Sequence, residues 1–231
     1  MSMSVFPPPQ PMDLSDPAYR EAVVDLLGAL AYGELQAFER LAADSAMSPD
    51  FTHREAIAEM AVAEFGHFKL LRDRLIELDA DPQVAMQPFV EAIDGFHAST
   101  APADWLEGLV KAYVGDGIAM DFYRAVAQYV DPETQALVVE VCSDLGHSEF
   151  VVETIRQAIA ADPVVAGRLA LWGRRLMGEA LAQSQRVAVQ REGLVELVLG
   201  GVGPDLGAIT RMFADVTDAH TARMKSLGLS P

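Results

Sequence analysis

Glu64 and His67 stand three residues apart in the run Ala63-Glu-Phe-Gly-His67, and Asp144-Leu-Gly-His147 repeats that spacing. On a helix, residues i and i+3 share a face one turn apart. Each pair can therefore present a carboxylate oxygen and an imidazole nitrogen to one cation. Two further acids also follow glycines, Glu34 in Tyr32-Gly-Glu34 and Asp116 in Val114-Gly-Asp116. The pattern has an internal repeat: 30 residues separate Glu34 from Glu64, and 28 separate Asp116 from Asp144. Glu39 and Asp121 each follow the first acid by five residues. Carboxylate and imidazole donors without a thiolate favour iron or manganese over zinc. Four carboxylates converging in one core could not all stay ionised, whereas two divalent ions would neutralise them.

The acid-x-x-His spacing alone is weak. Four of the five histidines have an acid at i−3, including Asp50 before His53 and Asp94 before His97. His53 falls in the first turn of its helix and His97 in a long connection, so neither is expected inside a bundle. His67 and His147 are expected in the middle of apolar helices. Gly33, Gly66, Gly115 and Gly146 fall in helix interiors, where each costs about 1 kcal/mol relative to alanine. Beside polar residues on buried stripes, they are expected to let helices approach and to leave room for a ligand or dioxygen. The competing reading is a metal-free bundle whose acids are protonated, paired with arginine or turned to solvent.

The elements that must position these residues are marked by proline. Pro17, Pro49, Pro102, Pro132, Pro163 and Pro204 follow a Ser, Thr, Asp or Gly-rich turn, the signature of a helix start. Between them run segments of helical period, roughly 17–46, 50–79, 102–129, 132–161, 163–198 and 204–227. One apolar stripe runs through Leu26, Leu27, Leu30, Ala31, Phe38 and Leu41, and Glu34 lies on it. Residues 80–101, with Pro82, Pro88 and Gly95, are expected as a long crossover between the second and third helices. No strand alternation persists. The expected fold is all-α: a Pro-rich tail over 1–14, a four-helix bundle over 15–162, and two C-terminal helices packed on it over 163–231.

Composition bounds the partners. The 231 residues have a net charge of −17 and 51% hydrophobic content, enough to bury one sizeable core. So acidic a surface repels polyanions and anionic membranes. Residues 163–231 carry 8 basic and 6 acidic side chains. That mildly basic pair either docks on the acidic bundle or turns Arg168, Arg174, Arg175 and Arg186 toward an anionic substrate. The single Cys142 excludes a disulfide framework and any cysteine-cluster metal site. The N-terminus lacks the basic and apolar regions of a signal peptide, and no apolar run is long enough to span a membrane. A cytoplasmic protein is expected.

One Glu from each of two helices plus an acid-x-x-His from each of two others is the pattern of ferritin-like di-iron carboxylate proteins. The runs Ala31-Tyr-Gly-Glu-Leu-Gln-Ala-Phe-Glu-Arg-Leu41, Ala63-Glu-Phe-Gly-His-Phe-Lys-Leu-Leu71 and Lys111-Ala-Tyr-Val-Gly-Asp-Gly-Ile118 resemble an actinobacterial ferritin-like family grouped with the MiaE-like tRNA hydroxylases. The resemblance covers roughly residues 15–228. It implies one iron held by Glu34, Glu64 and His67, a second by Asp116, Asp144 and His147, and Glu64 and Asp144 as bridging candidates. Aspartate at 116 and 144 is shorter than glutamate and reaches less far, which weakens or opens the second site. Glu39, Asp121 and Glu179 are reserve ligands.

The expected function is an oxygen-activating di-iron hydroxylase, with manganese as the alternative metal. It needs dioxygen, an electron donor and a small-molecule or modified-base substrate, and a homodimer is compatible with it. The family label implies a modified tRNA adenosine, which the net charge opposes. A ferroxidase, a catalase-like protein and a metal-free interaction scaffold are the alternatives. Tyr32, Tyr113 and Tyr123 could stand close behind a metal but are expected as core. Cys142, Trp105 and Trp172 are expected as packing residues.

Overall fold

The computed structural model describes residues 13–143, 147–200 and 206–231, and all regular structure among them is helical. Helix α1 (Pro17–Asp44) and helix α2 (Phe51–Glu77) form a long antiparallel pair. Then come α3 (Pro82–Met86), α4 (Val90–Ser99) and α5 (Trp105–Val110), and a π-helical stretch over Lys111–Gly115 leads into α6 (Asp116–Ala127). Helices α7 (Pro132–Val141) and α8 (His147–Ala161) follow. The C-terminal part holds α9 (Val164–Gln190), α10 (Glu192–Gly200) and α11 (Leu206–Ser226). No helix among the described residues is long and apolar enough to cross a membrane.

Aspartate caps start five of these helices. Asp16, Asp50, Asp81, Asp104 and Asp131 each accept one or two first-turn backbone N–H groups, donors that have no partner within the helix. The expected 80–101 loop is instead mostly helical. Asp81-Pro82 is the same cap-plus-proline start that opens α1 and α7, and Pro88 falls at the start of a 3-10 turn (Gln87–Phe89). The continuous helix expected over 132–161 is also corrected. Helix α7 ends at Val141, and the Cys142 carbonyl accepts a hydrogen bond from the Arg124 guanidinium. The expected 163–198 helix breaks at Arg191, whose guanidinium binds the buried Asp25 carboxylate on α1.

The buried side chains form two clusters. One joins Leu26, Leu27 and Leu30 of α1 to Leu71 and Leu75 of α2 and Val138 of α7. The other joins Ile57 of α2 to Leu109, Ile118, Ile155, Leu169 and Leu176. Along α1, Glu34 falls between Ala31 of the first cluster and Leu41 of the second. Along α2, Glu64 falls between Ala61 of the second and Leu71 of the first. A polar layer thus divides the core.

The C-terminal arginines hold the molecule together. Arg168 contacts Asp104 at 2.7 Å and Glu107 at 2.5 Å, Arg186 contacts Glu91 at 3.1 Å, and Arg174 donates to the Ser230 carbonyl. This is the docking reading of the basic segment. Trp172 donates from its indole N–H to the Glu107 carbonyl and Trp105 packs on the second cluster, so both anchor packing as expected.

The helix-interior glycines have unlike roles. A Cβ at Gly28 would stand 2.2 Å from the Ala85 carbonyl oxygen, so α1 and α3 touch backbone to backbone there. At Gly66 it would meet nothing within 4 Å, and at Gly115 only ordinary contacts, so close approach does not explain those two. Gly146 lies outside the described residues. Two substitutions should therefore differ in sign. Gly28→Ala should lose about 1–3 kcal/mol through overpacking, whereas Gly66→Ala should gain about 1 kcal/mol from helix propensity. Denaturant titration of the metal-free variants checks both, and loss in both or gain in both would contradict this packing.

Candidate metal centre

Glu34 lies midway along α1 and is 2% exposed, although it belongs to an otherwise apolar stripe. Glu64 and His67 project from one face of α2 toward it, as the i, i+3 spacing requires. His67 Nδ1 lies 3.4 Å from Glu34 Oε2 and 3.5 Å from Glu64 Oε2. One donor atom from each of the three residues lies within 4.8 Å of the others.

These contacts are long for hydrogen bonds, which cluster at 2.7–3.2 Å, and Glu34 Oε2 and His67 Nδ1 are buried without a hydrogen bond. Two ligands held about 2.1 Å from one ion stand about 3.0–3.4 Å apart at octahedral to tetrahedral angles. The cluster thus has the spacing of donors sharing an ion rather than bonding one another. The residues fit a divalent cation.

Electrostatics agree. Burial holds the Glu34 carboxyl well above the usual range, and the neighbouring Glu64 adds to it. The Glu34 and Glu64 carboxylates raise the His67 imidazole to about 10, against the lowering effect of burial. Among the described residues, His67 is the cation that meets both acids when no ion is bound.

Asp116 opens α6 directly after the π-helical stretch. A π turn holds one more residue than an α turn and recurs at functional sites. Burial pushes the Asp116 carboxyl well above its usual range and the Glu64 charge adds to it, while Lys111 acts against both. Asp116 and Glu34 both line a partly open cavity of about 280 Å³.

Asp144 lies outside the described residues. His147 opens α8, and its side chain also falls outside them, so the second acid-His pair carries no geometry. The three reserve acids stand apart from the donor cluster. Asp121 is bound by Arg223 at 2.6 Å. Glu39 is exposed and accepts from Gln36. Glu179 is half-buried on α9.

The profile described as "Ferritin-like domain, actinomycetes" matches residues 17–201, from the start of α1 to the end of α10. The chain belongs to this ferritin-like family. No curated protein matches the sequence. The ferritin-like fold and the Glu34–Glu64–His67 cluster together fit a di-iron protein.

Residues around the ferritin-like centre separate into two groups. The Tyr32 hydroxyl donates to Asp94 at 2.7 Å and the Tyr113 hydroxyl pairs with Ser226 Oγ at 2.9 Å, so both tie helices together. Tyr123 differs: its hydroxyl would stand 3.1 Å from a Cβ at Gly33, the residue before Glu34, and its side chain lines the cavity. Gly33 makes room for that hydroxyl. Sequence reasoning also passed over His97 and Lys111. His97 lies on α4 and lines the cavity, not in a loop. Lys111 is 5% exposed and donates from Nζ to the Thr100 carbonyl at 2.8 Å. The signal available for His97 was the Asp81-Pro82 helix start inside the expected loop, which marks that segment as helical; the buried Lys111 carries none. Cys142 is a buried free thiol, as expected.

The raised His67 value has a direct consequence for the metal-free protein. The folded state holds its proton to about 10, whereas an unfolded histidine releases it near 6.5. Stability from this group is complete below pH 6.5 and is lost as pH rises through about 10. Chelator-treated wild type should therefore lose stability between pH 7 and 10 in denaturant titrations, and His67→Gln should show a flatter profile. Parallel profiles would refute the assignment.

Proposed function

We propose that the chain is a di-iron oxygenase that hydroxylates a small apolar molecule. The observation that carries this reading is the cavity of about 280 Å³ lined by Glu34 and Asp116 on one side and by Phe89, Phe96 and Ile118 on others. An enzyme that only oxidises or stores iron has no use for an apolar chamber against its ligands. An oxygenase needs one, to hold a C–H bond beside the metal and to exclude water.

In this reading Glu34, Glu64 and His67 hold one iron. Asp116 holds the second with Asp144 and His147, as the family resemblance implies. When bound, the two irons supply dioxygen activation: one oxygen atom enters a C–H bond, the other leaves as water, and an external reductant supplies two electrons with two protons. The protein provides position and environment. Buried acids keep the ions close, apolar walls orient the substrate, and the Tyr123 hydroxyl stays protonated because burial raises it.

The substrate we favour is a small molecule rather than tRNA. The net charge is −17, and Arg168, Arg174 and Arg186 are already engaged by the protein's own carboxylates and carbonyls. Those side chains support no open phosphate-binding face.

Oxygen uptake tests the proposal. Protein loaded with two equivalents of ferrous iron and supplied with ascorbate should consume dioxygen faster than the same iron free in buffer. Glu34→Ala should reduce the excess rate by about tenfold or more, in line with losses typical at metal sites. Uptake no faster than free iron, or unchanged in Glu34→Ala, would contradict it.

A further inference from the structure

We propose that the cavity beside the metal centre binds an uncharged, single-headed amphiphile of medium chain length. Its polar head lies between Glu34–Asp116 and His97–Gln183, and its tail runs along α1 toward α10. This deepens the proposed oxygenase reading by naming its substrate class, and it rests on that reading for its chemical consequence.

Among the described residues, the charged and amide side chains of the cavity gather at one end. Its wall follows α1 from Leu26 to Ala37, a rise of about 16 Å at 1.5 Å per residue. Contacts between helices fix which groups share an end. The Tyr32 hydroxyl meets Asp94 on α4, a Cβ at Gly33 would meet Tyr123, one at Gly95 would stand 3.4 Å from Gln183, and one at Gly115 would stand 3.6 Å from Phe96. Glu34, Asp116, His97 and Gln183 therefore gather at the Ala37 end. At the other end Arg191 binds Asp25, and Gly193 packs against Ala22. There the wall is Leu26, Val126, Val187, Leu194, Val195 and Val198, with no polar side chain among them.

The head must be uncharged and able to donate. His97 Nδ1 and Gln183 Oε1 are buried and make no hydrogen bond, a cost that a ligand hydroxyl can relieve. A hydroxyl both donates and accepts, so it suits either tautomer of His97 and either orientation of the amide. Burial, with Lys111 and Arg40 nearby, lowers the imidazole to about 3, so His97 is neutral at pH 7. Those two cations oppose a cationic head, and an anionic head would lose its water among apolar walls beside two acids. At the roughly 30 Å³ a water occupies in the liquid, about 280 Å³ holds on the order of ten non-hydrogen atoms. A fatty alcohol of about eight carbons matches.

The test uses metal-free full-length protein and 1-octanol, with 1-chlorooctane, octylammonium and octanoate as comparisons, followed by calorimetric titration. Wild type should bind 1-octanol about tenfold or more tighter than each comparison, the step expected for a buried hydrogen bond or a mismatched charge. His97→Phe should bring 1-octanol and 1-chlorooctane to near equality. Ala188→Phe should block the tail and shift the preference to a shorter alcohol, and Ala29→Leu serves the same purpose where Ala188→Phe misfolds by circular dichroism. Absence of 1-octanol binding to folded wild type, tighter binding of a charged homologue, or an unchanged chain-length preference would overturn the proposal. Metal binding measured on the same preparations separates the two claims. Iron bound without 1-octanol binding sinks the substrate class alone, and 1-octanol bound without iron sinks the oxygenase reading alone.

Discussion

Two apolar clusters in this molecule are separated by a layer of acids largely withdrawn from bulk water. Glu34 is almost fully enclosed, Glu64 and His67 are largely so, and Asp116 lines the cavity. Removing carboxylates from water costs several kcal/mol each unless an opposing charge accompanies them. Protonation and the shared imidazolium partly meet that cost, and divalent cations would meet it fully. The apolar clusters on either side supply the stability that lets the layer persist, a division of labour common where function conflicts with folding.

The surrounding irregularities serve that layer. The π-helical stretch over Lys111–Gly115 begins at a buried lysine whose ammonium donates to the Thr100 carbonyl. It delivers Asp116 to the cavity wall. The end of α7 is held by Arg124 on the Cys142 carbonyl, and the bend between α9 and α10 by Arg191 on Asp25. At the end of α7 an arginine from another helix takes a carbonyl that a continuous helix would have bonded itself, whereas at the α9–α10 bend Arg191 anchors its own break to α1. The salt links of α9 to Glu91, Asp104 and Glu107 likewise fasten the C-terminal helices over the cavity.

Much of this was legible in the residues. The i, i+3 pairing of Glu64 and His67, with Glu34 on the apolar stripe of the first helix, pointed to the three side chains that the fold gathers. Helix starts followed from Asp and Pro chemistry, and the all-α class from the period of apolar residues. What escaped detection was set by tertiary contacts. The crossover carries the same Asp-Pro start at Asp81-Pro82, yet Pro88 and Gly95 suggested a loop. Burial of His97 depends on how α4 lies against α1 and α9, which local sequence does not encode. The π turn and the arginine-capped breaks have no compositional mark. The glycine argument was too general: Gly33 accommodates Tyr123, Gly66 faces open space, and the closest approach is at Gly28, outside the acid motifs.

Asp116 lies outside the three clustered donors, but it shares the cavity with Glu34, and the Glu64 charge adds to the raising of its carboxyl. The most direct measurement of the central claim is anomalous diffraction at the iron edge from crystals grown with ferrous iron under anaerobic conditions. The account predicts a peak within bonding distance of Glu34, Glu64 and His67, with a second near Asp116. A folded protein with full electron density for these side chains and no anomalous peak between them would contradict it.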